Sequence, residues 1–240
     1  MAGAIIYTDG GCIGNPGPGG WGAIVSSGLG KIFELGGKSA STTNNRMEMT
    51  AVLEALSALP GGCKDVAVYS DSKYVLQGIS DWRFGWQSRG WTNSQGDPVQ
   101  NKDIWLKLCH LVDRLIGEGV KLHWNYVPGH QGFSGNERVD DIAQGFAKGQ
   151  PVELYSGDAA SYAVDLTPPP ANLSKNKRSS LKSGSKKSPI GYCSYVDGAY
   201  YMDKTWKQCE ARVKGRRGAK YRKVFSLSEA DELKVKWGVD

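Results

Sequence analysis

The 240-residue sequence predicts an α/β protein, a mixed sheet covered by helices and joined to a smaller α/β unit. Three observations lead there. β-rich runs crowd residues 4–37; single strands then alternate with helical spacing up to residue 148; and a stretch without apolar period separates all of this from a last patterned segment.

Ala4–Thr8 is short, apolar and β-rich, and it stops at Asp9-Gly10-Gly11. Trp21–Ser27 and Lys31–Gly37 flank Gly28-Leu29-Gly30 and complete a strand meander. Asn44–Leu59 changes to helical spacing, with Met47, Ala51, Leu53 and Ala55, and ends at Pro60-Gly61-Gly62. Asp65–Ser70 reads as a buried strand ending at Asp71, Ser72–Ile79 as a short helix and Asn101–Ile116 as a longer amphipathic one. Lys121–Val127 supplies a further strand and Gly135–Lys148 a last helix. Thr167-Pro-Pro-Pro170 leads into a Ser/Lys/Asn/Gly tract, so residues 151–189 read as an extended linker. Patterning resumes near Gly191 with a hairpin about Gly198, a helix over Thr205–Val213, a strand over Tyr221–Phe225 and a helix over Ser228–Trp237. The expected domains are 1–150 and 190–240, with 151–189 between them.

Composition excludes several classes. Hydrophobic residues make up 40% and charged residues 22%, the balance of a globular chain, and no apolar run approaches the roughly 18 residues of a membrane span. The start reaches Asp9 too early for a secretory leader. Cys12, Cys63, Cys109, Cys193 and Cys209 are an odd set without a C-x-x-C pair, against a disulfide framework or zinc module and in favour of a reducing, cytoplasmic setting. Residues 1–150 carry 13 Lys/Arg against 14 Asp/Glu, and residues 151–240 carry 17 against 10. A near-neutral body with a basic tail suits a polyanionic partner. Gly17-Pro-Gly-Gly-Trp-Gly22 fits a dinucleotide-binding fingerprint by letter, but a β-rich run follows it where a helix is required.

The chemistry is signalled by the acids. Asp9 and Asp71 each end a strand, where side chains converge at one sheet edge; Glu48 lies one turn into the first helix and Asp140 in the last. Singly, such acids are most often turn residues or helix caps. Their surroundings say more. Tyr7-Thr-Asp-Gly-Gly-Cys-Ile-Gly-Asn-Pro-Gly-Pro-Gly-Gly-Trp-Gly-Ala23, Thr42-Thr-Asn-Asn-Arg-Met-Glu-Met49, Tyr69-Ser-Asp-Ser-Lys-Tyr-Val75, Val127-Pro-Gly-His-Gln-Gly132 and Gly135-Asn-Glu-Arg-Val-Asp140 follow one another in order. Over residues 4–148 this chain resembles type 1 ribonuclease H.

The resemblance implies a ribonuclease H-like mixed five-stranded sheet and an enzyme that cuts the RNA strand of RNA/DNA hybrids, leaving 5′-phosphate and 3′-hydroxyl ends. It implies two Mg²⁺ ions, with Mn²⁺ as a substitute, and no organic cofactor or membrane partner; monomer is the default. Asp9 would bridge both ions, Asp140 would serve the ion that activates water, and Glu48 and Asp71 the ion on the leaving-group side. Hard cations take oxygen ligands, and four close carboxylates repel one another until a cation neutralises them. His130, on a glycine-flanked loop, would assist proton transfer or product release; His110 and His123 read as structural. Asn15, Asn44 and Asn45 match positions near the RNA strand, where the 2′-hydroxyl separates RNA from DNA. Thr43 and Asn101 match a grip on a DNA-strand phosphate, with Ser41 where some relatives carry arginine. Residues 81–92 resemble a handle that touches DNA, in which Trp82, Trp86 and Trp91 with Arg83 and Arg89 would stack on sugar and bind phosphate.

The last 50 or so residues resemble the small hybrid-binding domain that commonly precedes the nuclease in this family and here follows it. Trp206, Tyr221, Arg222 and Lys223 would contact the DNA strand. Two sites on one linker raise effective substrate concentration. The rival readings are a non-cutting hybrid-binding protein on the same fold, a DNA-directed nuclease with the same acids, and the same enzyme with a C-terminal unit that binds protein instead of hybrid.

Overall fold

The computed structural model describes residues 3–170, 190–216, 218–224 and 227–239. The chain forms two compact units, residues 1–176 and 177–240.

The first unit is built on β1 (Ala4–Cys12), β2 (Gly17–Ser26), β3 (Lys31–Thr42), α1 (Asn44–Ser57), β4 (Asp65–Ser70), α2 (Lys73–Gln77), α3 (Arg83–Ser88), α4 (Lys102–Gly117), β5 (Lys121–Tyr126), α5 (Ser134–Ala147) and β6 (Ser156–Asp158). α2 runs through a π-helical turn, Gly78–Trp82, into α3. The strand order is β5-β4-β1-β2-β3-β6. β1, β4 and β5 are parallel, and β1, β2, β3 and β6 pair antiparallel.

Alternation along each strand sends side chains to opposite faces. Ile6, Val25 and Val68 meet Met49, Val52 and Leu56 of α1 and Trp105, Leu108 and Val112 of α4 in the main core. Tyr7, Ile24 and Ile32 face the other way, toward Val139 of α5. α5 sits so close to this face that a Cβ on Gly22 would lie 2.5 Å from the Val139 carbonyl oxygen. The glycine-rich run that imitates a nucleotide loop is therefore the strand on which a helix lies.

Three expectations change. The sheet has six strands, not five, because Ser156–Asp158 pairs with Lys31–Phe33. Residues 151–170, expected to begin the linker, belong to the first unit: Tyr155, Tyr162 and Leu166 pack on the Tyr7–Ile24 cluster. This strap is held on Glu34, whose side chain is 1% exposed. Glu34 accepts from Arg138 Nε at 2.8 Å and Nη2 at 2.7 Å, from the Tyr162 hydroxyl at 2.6 Å and from the Tyr155 N–H at 2.9 Å. Third, β1 does not stop at Thr8. It continues through Asp9, Gly10 and Gly11 because β2 stays paired with it to Cys12. The linker expected over residues 171–189 lies outside the described residues.

The second unit is a sheet of β7 (Gly191–Val196), β8 (Ala199–Asp203) and β9 (Lys220–Val224) in the order β8-β7-β9, with α6 (Trp206–Val213) and α7 (Leu227–Trp237). Its hairpin turns at Asp197-Gly198, both at positive φ. Thr205 and Gln208 cap α6 reciprocally. Cys209 and Val213 of α6 pack with Val196, and Ala230 and Leu233 of α7 with Cys193 and Val224, so the helices cover opposite faces. Among the described residues no helix is long and apolar enough to cross a membrane.

Candidate active site

The parallel pairing of β1 with β4 ends at Thr8 opposite Ser70. Asp9 and Asp71 each follow that last pair, so two acids stand side by side at the carboxyl edge of the parallel strands. Glu48 joins them from the start of α1, which Gly10 admits: a Cβ there would lie 2.4 Å from the Glu48 backbone nitrogen. Carboxylate oxygens of Asp9, Glu48 and Asp71 all lie within 4.8 Å of one another. Glu48 Oε2 is shielded from solvent and has no hydrogen-bond partner.

Such an arrangement resists ionisation. Burial, then Asp71 and Asp140, push the Asp9 carboxyl up to about 7. Burial, then Asp9 and Asp71, raise Glu48 well above its ordinary value. Burial and Asp140 raise Asp71. A hard divalent cation fits: it answers the crowded negative charge and gives the orphaned Glu48 oxygen a partner. Asp140 approaches from α5, and His130 Nδ1 lies 3.7 Å from its Oδ2. His130 is exposed at φ 53° on the loop after β5. The four acids and His130 border an open cleft of about 370 Å³, with Cys12, Asn44, Gln144 and Lys148 at its edge. Gln144 and Lys148 escaped the sequence reading, although their spacing of four from Asp140 along one helix puts them on its face.

A family model for RNase H matches residues 1–148. The chain belongs to the ribonuclease H family. It is 50% identical over 150 residues to a ribonuclease H of Cyanothece sp. (strain PCC 7425 / ATCC 29141), covering 62% of this chain and 92% of that relative. With a ribonuclease H of Polaromonas naphthalenivorans it shares 52% identity over 139 residues, 58% of this chain and 83% of the relative. The crystal structure of LC9-RNase H1, a type 1 RNase H with the type 2 active-site motif, superposes with a TM-score of 0.54 at 27% identity, over 71% of this chain and 98% of that one. A second model, for the ribonuclease H1 N-terminal domain, matches residues 201–232. The segment thus follows the ribonuclease H unit here.

The expected substrate residues of the ribonuclease H unit gather at the start of α1. Asn44 Oδ1 accepts from the Cys12 N–H at 2.8 Å, and Asn15 Oδ1 accepts from the Asn44 N–H at 3.3 Å. Both amides thus turn their oxygens toward backbone. Asn44 is the first residue of α1 and not its cap; the cap is Thr43, whose side chain makes no capping bond. Asn45 is half-buried beside it. An Arg46–Asp103 ion pair of 2.8 Å ties the first turn of α1 to that of α4, which Thr43 and Asn101 each precede.

The handle differs from expectation. Arg83 is 6% exposed and paired at 2.7 Å with the solvent-facing Asp113, so its guanidinium is buried and engaged and is not a phosphate ligand. Trp86 is half-buried between Trp82, Trp91 and the fully buried Trp105, with ring centroids 5.7, 6.3 and 5.3 Å away. Trp82 and the unforeseen Phe84 are the exposed rings.

In the second unit the expected contacts divide. Trp206 and Tyr221 are exposed and tilted against each other with ring centroids 5.3 Å apart, beside Tyr192 at 5.7 Å from Trp206. Tyr221 pairs with Ser194 and Lys223 with Tyr192, so both lie on the α6 face. Arg222 pairs with Cys193 and lies on the α7 face. One strand cannot present consecutive residues to one surface.

Proposed function

We propose that this ribonuclease H hydrolyses the RNA strand of RNA/DNA hybrids endonucleolytically, leaving 5′-phosphate and 3′-hydroxyl ends, with two Mg²⁺ ions held by Asp9, Glu48, Asp71 and Asp140. The observation that carries this is the convergence of Asp9, Glu48 and Asp71 within 4.8 Å around an unpartnered Glu48 oxygen. Divalent cations bound there would acidify water and neutralise charge on the scissile phosphate. His130, exposed and facing Asp140, would carry a proton between that site and solvent. Asn15 and Asn44, with their oxygens engaged, would offer N–H groups to ribose 2′-oxygens, and Asn45 would support them. Thr43 and Asn101 would grip a phosphate of the DNA strand, and the exposed edge of the Trp82–Trp86 cluster would meet its sugars.

The second unit would bind the hybrid through Trp206, Tyr221 and Lys223; the match to the ribonuclease H1 N-terminal domain supports it. Five free cysteines support a reducing, cytoplasmic setting.

The test is a short hybrid labelled separately on each strand, with duplex DNA and duplex RNA as controls. Mg²⁺-dependent cutting of the RNA strand in the hybrid alone is expected. Binding without cutting would favour the non-catalytic reading, and cutting of duplex DNA would refute the role given to the asparagines. Trp206→Ala in the full chain should weaken hybrid binding about tenfold at moderate salt, the loss expected from one stacked ring. Unchanged affinity in a filter-binding titration would assign that face to another partner.

A further inference from the structure

Asp140, Gln144 and Lys148 follow one another at spacings of four along α5 and its cap, so they share one face, and all three border the acidic cleft. Gln144 Nε2 donates to both Asp140 oxygens at 2.9 Å. Lys148 Nζ donates to Gln144 Oε1 at 3.0 Å. An ammonium only donates and an ionised carboxylate only accepts, so the amide between them has a single satisfactory orientation. Asp140 is also the acid that stands apart, outside the set that Asp9, Glu48 and Asp71 form within 4.8 Å.

We propose that Gln144 is a positioning residue for Asp140, that Lys148 sets the Gln144 amide, and that the pair holds the fourth carboxylate ready for a divalent cation. The proposal rests on the reading of the acids as a cation site. A half-buried helix side chain at the rim of a cleft still has more than one rotamer open to it, and two hydrogen bonds from one amide restrict the Asp140 carboxylate to one of them. Partners one shell out commonly orient a metal ligand in this way. His130 faces the same carboxylate from the opposite loop at 3.7 Å, too long to replace the amide.

The test uses the full chain and three variants, Gln144→Leu, Lys148→Met and the double. Calorimetric titration with Ca²⁺ in the absence of nucleic acid reads cation binding without turnover. Cleavage across Mg²⁺ concentrations and across hybrid concentrations then separates cation from substrate effects. Gln144→Leu should weaken Ca²⁺ and raise the half-activating Mg²⁺ concentration by about threefold to tenfold, the low end for such partners because Gln144 and Lys148 are exposed. KM for hybrid at saturating Mg²⁺ should stay within about twofold, since no substrate contact is removed. Lys148→Met should give a smaller effect of the same kind, and the double variant should match Gln144→Leu, because the lysine acts through the amide. Unchanged Ca²⁺ affinity in a folded Gln144→Leu would overturn the proposal. A double variant equal to the product of the singles, with raised KM for Lys148→Met, would overturn the lysine's part and make it a phosphate contact. Asp9→Asn is the control: if it too leaves Ca²⁺ binding intact, the cation site itself is misassigned, whereas its loss beside an unaffected Gln144→Leu refutes the positioning alone.

Discussion

Asp9 and Glu34 lie on one face of one sheet, two strands apart, under opposite electrostatics. Glu34 is enclosed by Arg138, Tyr162 and the Tyr155 N–H. Burial raises its pKa, but these donors outweigh burial and hold the carboxyl below its ordinary value. Asp9 has burial, Asp71 and Asp140 all acting to raise it, opposed by the Gly10 N–H at 2.7 Å, and it rises to about 7. The protein completes one acid site with a guanidinium, a hydroxyl and a backbone N–H of its own and leaves the other short of positive charge. The completed site holds the fold together; the deficient one is suited to bind cations.

The comparison is broken most directly at Asp9. Asp9→Asn should lower hybrid cleavage by about a thousandfold or more, since several kcal/mol of transition-state stabilisation go with the cations. Initial rates at saturating Mg²⁺ measure it. The same change should make the metal-free protein less sensitive to alkali. Asp9 is raised above its ordinary 3.8, so its contribution to stability is complete below that value and is lost as pH rises through about 7. Metal-free wild type should therefore weaken between about pH 4 and 8 in urea titrations, Mg²⁺ should restore it, and Asp9→Asn should flatten the slope.

Glu34→Ala attacks the completed site and should cost about 3–5 kcal/mol of stability at pH 7, because Arg138 and two hydroxyl and amide donors lose their acceptor. Equilibrium unfolding checks it. Glu34 is lowered from its ordinary 4.5, so its contribution is present above that pH and lost as pH falls through the lowered value. The margin over Glu34→Gln should hold at neutral pH and shrink in acid, a window opposite to that of Asp9.

Gly129→Ala sharpens the geometry without removing an acid. Its Cβ would stand 2.6 Å from Asp71 Oδ2, so the carboxylate must move. A fall in kcat of about tenfold to a hundredfold is expected, with thermal unfolding little changed. The smallest effect belongs to Tyr162→Phe, about 1–2 kcal/mol of stability from one hydrogen bond to a buried carboxylate, with cleavage at 25 °C unaltered. Lost cleavage there would mean that the strap acts on the catalytic edge and that the two sites are not separate.

Much of this was legible along the chain. The meander, the helix from Asn44 and the buried Asp65–Ser70 strand follow from period and breakers; Asp9, Glu48 and Asp71, singled out by the resemblance, do come within 4.8 Å of one another, although Asp9 lies inside β1 and not at its end. β6 was not legible, since Ser-Gly-Asp carries no strand signal and exists only because β3 has a free edge. Arg83 read as a surface cation, because nothing near it in sequence announces Asp113.

By itself the sequence determined which segments become strands and helices, because those depend on spacing within short stretches, and the motifs around the acids carried the family resemblance that singled them out. Only the tertiary structure decided what covers each face: Tyr162 against Glu34 across 128 residues, Arg83 against Asp113, Arg222 away from Tyr221. The physical reason is that the state of a buried charge depends on its partners. Those partners come from elements that meet only when the chain folds, at positions no local period reports.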